Sequence, residues 1–125
     1  MAELRSEIQA FYAGFGQPEL LRQAFEAAVL VVPLVEDDRV PTSPVGGIDW
    51  IPAFTSVEEY ARYMVARGVS EEREYRYHTL QGALLTGYAA ARTEPTGVSV
   101  DCVGAAPVAF PPRPAAETTA AEVEA

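Results

Sequence analysis

The chain has 125 residues, 49% of them apolar, and a net charge of −9 set by eighteen acids against nine basic residues, every one of them arginine. That length and composition imply one globular domain, burying roughly two thirds of the surface its unfolded form exposes. The charge argues against nucleic acid and anionic membrane surfaces, which need a basic footprint, and favours neutral or basic partners.

Cys102 is the only cysteine, so no intramolecular disulfide can form. The opening "MAELRSEIQAF" lacks a basic stretch followed by an apolar run, so no signal peptide is expected. The longest apolar run, Ala27 to Val35, is broken by Pro33 and too short to span a bilayer. A cytoplasmic protein without membrane insertion is the expectation.

Leu4, Ile8, Phe11 and Phe15 recur at helical spacing, and Gly14 and Gly16 end that stripe. Pro18 opens a second helix, where its missing N–H is harmless. Leu21, Ala24, Phe25 and Ala28 form the apolar face, and residues 1–27 read as a helical segment. "AVLVVPLVE" is a β-branched run suited to a strand buried on both faces, with Pro33 at an edge or bulge. "DDRVPTSPVGG" reads as a polar loop, and "IDWIPAF" as a second strand that could pair with the first.

"TSVEEYARYMVARG" has a helix signature. Thr55 and Ser56 are alternative N-caps for Glu58 and Glu59, and Gly68 stands at the C-terminal stop. Val57, Tyr60, Ala61 and Met64 make its expected inward face. "EYRYHT" alternates as a one-faced strand, with Tyr75, Tyr77 and Thr79 on one side. Leu80, Leu84, Leu85 and Tyr88 suggest another helix. "GVSVD" and "PVAF" read as strands joined by a turn at Gly104. The expected order is ααββαβαββ, an α+β domain with a small mixed sheet of about five strands over residues 1–112. Residues 113–125 offer little to bury and read as a disordered tail rich in proline, alanine and glutamate.

Candidate chemistry is sparse. His78 stands alone on a strand surface, and no histidine or cysteine cluster suggests a metal. The pairs Glu58–Glu59 and Glu71–Glu72 are adjacent, and adjacent residues do not share a face. Cys102 follows Asp101, an environment opposite to that of an activated thiol. Gly46-Gly47 lacks phosphate-loop spacing and suits a tight turn. Ile48, Trp50, Pro52 and Phe54 share one strand face, with Trp50 expected beneath the 57–65 helix; Asp49 points the other way, either exposed near the strand start, the favoured reading, or paired with an arginine. No catalytic, metal-binding or cofactor-binding residue is assigned. The candidate interaction surface is the acidic 36–47 loop with the outer side of the following helix: Asp37, Asp38, Asp49, Arg62 and Tyr63, with Tyr63 and Arg62 as residue types favoured at hot spots.

"VLVVPLVED", "GGIDWIPAFTSVEEYARY", "LQGALLTG", "GVSVD" and "PVAFPP", in this order, resemble the N-terminal domain of the enhanced-serine-sensitivity (SseB) family in its actinobacterial single-domain form. The block Gly46–Ser56 carries most of that resemblance. Asp49 within the block and Cys102 after Asp101 depart from the pattern. The resemblance implies a small cytoplasmic α+β domain, with no reaction and no catalytic residues to carry over. The expected function is a non-enzymatic protein-interaction or accessory module with a protein partner and possible homo-oligomerisation. The alternatives are a small-molecule, amino-acid-related regulator and an adaptor or chaperone for specialised secretion.

Overall fold

The computed structural model describes residues 4–35, 39–68 and 76–112. The order is α1 (Leu4–Tyr12), α2 (Pro18–Ala27), β1 (Val29–Pro33), β2 (Ser43–Val45), β3 (Ile48–Ala53), α3 (Val57–Ala66), β4 (Tyr77–Gln81), α4 (Gly82–Ala91), β5 (Thr96–Val100) and β6 (Val108–Phe110). The class is α+β, as expected, with β2 as the additional strand. The anticipated 113–125 tail lies outside the described residues.

The missed strand belongs to a hairpin. Ser43 pairs with Trp50 and Val45 with Ile48, so Gly46-Gly47 is a two-residue turn. Both glycines have positive φ, 61° and 83°. That is the requirement of the hairpin turn whose twist matches its strands. The two prolines of the preceding segment hid its extended end.

β3 also runs parallel to β5, which pairs antiparallel with β6, giving the sheet β2-β3-β5-β6. β1 pairs with β4 instead of forming the anticipated long hairpin with β3. The two sheets meet at one bridge, Val31 to Phe54, closed by a pair of 2.8 Å backbone hydrogen bonds. The reason that pairing goes no further is chemical. Backbone groups of successive strand residues face alternate edges. Leu34 N–H bonds Arg76 O on the β4 side, whereas Val31 faces β3, so Pro33 also faces β3. Asp49 N–H and Ala53 O bond the β5 side, whereas Phe54 faces β1, so Pro52 also faces β1. Two residues along the bridge register, Pro33 stands opposite Pro52. Neither has an N–H, so the ladder stops there.

Side chains alternate across this composite sheet. Leu30, Val32, Ile51, Ala53, Val98 and Val100 face the main core with Leu4, Ile8, Leu21, Phe25, Leu85 and Phe110. Val31 and Phe54 face the other way, against Tyr60, Tyr63 and Met64 of α3. α1, α2 and α4 therefore cover one face, and α3 covers part of the other.

Several expected faces are corrected by this arrangement. Leu4 and Ile8 are buried, but Phe11 and Phe15 run past the edge of the core into solvent. In α3, Val57 is exposed and Tyr63 turns inward. Leu80 belongs to β4, and α4 buries Gly82, Leu85 and Ala89, with Leu84 and Tyr88 exposed. Trp50 is half-buried and joins neither core cluster. Its indole lies over Gly97, where a Cβ would come within 2.6 Å of the ring and 2.8 Å of Phe110 O.

Gly82 and Gly87 of α4 provide a matched test of packing. A Cβ at Gly82 would stand 1.9 Å from the Phe25 carbonyl oxygen, whereas at Gly87 it would meet nothing within 4 Å. Gly82→Ala should destabilise the fold by about 1–3 kcal/mol or more, and Gly87→Ala should stabilise it by up to about 1 kcal/mol. Urea unfolding checks both signs; equal effects would contradict the close approach of α2 to α4.

Candidate functional site

An open cleft of about 600 Å³ lies between the segment after β1 and the end of α4. Val35 N–H bonds Arg39 O at 2.8 Å, and the chain then continues through Val40, Pro41 and Thr42 along one wall. Tyr88 and Arg92, one helical turn apart and so on one side of the helix, form the other.

Arg92 is anchored where α4 ends. Its Nη2 is 2.8 Å from Asp49 Oδ2, and its Nε donates to Thr96 Oγ1 at 2.9 Å. Buried Thr96 donates in turn to Glu94 O at 2.9 Å. Glu94 Oε2 lies 3.9 Å from Nη2. The guanidinium pKa is raised by the Tyr88 hydroxyl, Asp49 and Glu94, against an opposing effect of burial. Asp49 is thus paired with an arginine, the alternative to the favoured reading of exposure, with 23% of its side chain accessible. The acid within the Gly46–Tyr63 block serves to orient an arginine forty-three positions away.

The other anticipated interface residues do not join it. Asp37 and Asp38 lie outside the described residues, as do Glu71 and Glu72. Arg62 is exposed, 3.5 Å from Glu59 Oε1. Tyr63 packs its ring 5.0 Å from that of Phe54, accepts a 2.6 Å hydrogen bond from Arg67 Nη1, and lies beneath the Arg67 guanidinium. Asp49 is on the main-core side of the sheet and Tyr63 on the α3 side, so the sheet separates them.

Asp101 holds the start of α3, a role the sequence analysis missed. Its Oδ1 accepts from Thr55 N–H at 2.9 Å and its Oδ2 from Thr55 Oγ1 at 2.7 Å. Ser56 is the N-cap, accepting from Glu59 N–H at 3.2 Å. Asp101 adopts φ 52°, a turn conformation that aspartate tolerates, and Gly104 N–H closes the turn on Asp101 O. Asp at a strand end before a glycine was the available signal. His78 is exposed on β4. Cys102 is exposed as a residue, yet burial of its thiol, followed by the Asp101 charge, raises its pKa.

A second feature is the turn between α1 and α2. Phe11, Tyr12, Phe15 and Leu20 are 50%, 54%, 81% and 38% accessible. Phe11 and Tyr12 meet edge to face, and Tyr12 donates its hydroxyl proton to Pro107 O, which fixes the tip against the β5–β6 connection. A Cβ on Gly16 would stand 2.4 Å from Phe11 Cα, so the turn is tight. These exposed apolar side chains thus stand on and beside one turn. No family model, curated protein or solved structure matches the chain.

Two outcomes follow. Tyr63→Ala should lower stability by about 1–3 kcal/mol in urea unfolding, since it strips one side of Phe54; no change would return Tyr63 to the surface. Cys102 should react with iodoacetamide at pH 8 more slowly than a free cysteine, because a raised pKa leaves less thiolate below it. Labelling at the free-cysteine rate would contradict the desolvated thiol.

Proposed function

We propose that the chain is a non-enzymatic interaction module of the bacterial cytoplasm, docking through the α1–α2 tip. The supporting observation is the exposure of Phe11, Tyr12, Phe15 and Leu20 on and beside one tight turn that Tyr12 fixes to Pro107. Scattered single apolar residues are ordinary, but several exposed apolar side chains clustered about one turn point to an interaction surface. Aromatic side chains are also the anchors that dominate binding energy at interfaces.

The partner we propose is a protein with an apolar recess and a neutral or basic rim. An exposed aromatic tip suits an apolar recess, and the chain's charge of −9 suits such a rim. Membership of the SseB family forms part of this proposal and is consistent with the α+β class. An adaptor for specialised secretion would use the same surface.

The test places the photo-crosslinking residue p-benzoylphenylalanine at Phe15 and, separately, at Glu58 on the far side of the sheet. Irradiation in the native cell should yield a protein adduct from position 15 and none from position 58. Phe11→Ser with Phe15→Ser in a competing chain should fail to suppress that adduct, whereas unmodified competitor suppresses it. An adduct of twice the chain's mass identifies a second copy as the partner. Equal adducts from both positions, or none from either, would overturn the reading.

A further inference from the structure

We infer that the cleft between Val40 and Arg92 is a binding site for a small aliphatic monocarboxylate. This inference is independent of the α1–α2 interaction surface. The volume, about 600 Å³, lies within the range of small-molecule sites. Its wall divides by chemistry. Val35, Val40 and Pro41 offer an apolar side, and Tyr88, Thr42 and Arg92 offer hydroxyls and a guanidinium. Among the described residues, the charged side chains that line it are Arg39 and Arg92, both cationic.

The guanidinium of Arg92 is held in position before any ligand arrives. Its Nε is directed to Thr96 and its Nη2 to Asp49, two contacts that fix the plane of the group. Arginine presents five donors in a rigid fork, and these two contacts do not use them all. The Tyr88 hydroxyl already bonds this guanidinium, and the guanidinium donors left over are what this wall offers a carboxylate. A ligand bound there gains a charge-assisted hydrogen bond without the cost of ordering the arginine. Its hydrocarbon part would face Val35, Val40 and Pro41. A neutral amide of the same shape would keep the apolar contacts and lose the charged one. Asp49 competes with the ligand for the same guanidinium, and Glu94 adds repulsion from 3.9 Å. Removing the Asp49 charge should therefore strengthen binding, the opposite of what a wholly structural ion pair predicts.

The experiment uses isovalerate and isovaleramide as probes of the full chain, with saturation-transfer NMR for detection and titration for affinity. Isovalerate should bind saturably and at least about tenfold more tightly than the amide, the difference expected for one charge-assisted hydrogen bond. Arg92→Met should abolish that preference while far-ultraviolet circular dichroism stays native. Asp49→Asn, which keeps the arginine, should tighten isovalerate binding several-fold and serves as the deciding variant if Arg92→Met does not fold. Equal binding of acid and amide, no saturable binding of either, or an affinity unchanged by Asp49→Asn would each overturn the inference.

Discussion

The fold depends on the bridge between Val31 and Phe54. β1 with β4 and β2 with β3, β5 and β6 are separately hydrogen-bonded, and this bridge is the point where their backbones join. Two hydrogen bonds contribute on the order of 1 kcal/mol each, too little to hold two sheets together unaided. Apolar packing on both sides of the seam supplies the rest. Leu30 and Val32 of β1 share the main core with Ile51 and Ala53 of β3, and Val31 meets Phe54 on the opposite face. The opposed Pro33 and Pro52 remove two donors from the seam, which both limits the ladder and avoids a buried N–H without a partner.

This constraint distributes the functional features. With the α3 layer seated on Phe54, the aromatic side chains of α3 are used for packing, including Tyr63. α4 follows β4 directly, and Gly82 lets it pass against the backbone of α2, which carries Tyr88 and Arg92 out to the start of β3. The cleft exists because the chain after β1 leaves the seam at Pro33 and returns past Arg92 before entering β2. α1 reaches the core only through Leu4 and Ile8 and α2 through Leu21, Ala24 and Phe25, so the turn between them extends into solvent with Phe15 at its end.

Much of this architecture was legible in the sequence where local rules govern. The helix start at Thr55 or Ser56, of which the structure uses Ser56, the stop at Gly68, the buried face of α2 and the α+β class all follow from periodicity and capping, and the structure bears them out. The failures share a cause. Whether a periodic side chain is covered depends on what packs over it, so Phe11, Phe15 and Leu84 continue an apolar period beyond the core's edge. Pairing partners are likewise non-local: nothing near β1 announces that β4 will be its neighbour. β2 was lost among prolines, although its Gly-Gly turn is a hairpin signal. Asp49 and Arg92 lie far apart in sequence, and only the parallel pairing of β3 with β5 brings the end of α4 to Asp49. Asp101 gripping Thr55 arises the same way, from β5 ending beside the start of α3.

If the seam is part of one cooperative core, its backbone amides cannot open independently. Native-state hydrogen exchange of the Val31 and Phe54 amides tests this most directly. Both should exchange only through global unfolding, with the same opening free energy and denaturant dependence as the Val98 amide in β5. Exchange of Val31 and Phe54 through a smaller opening, with Val98 still protected, would show that β1 and β4 separate from the rest and would contradict the account.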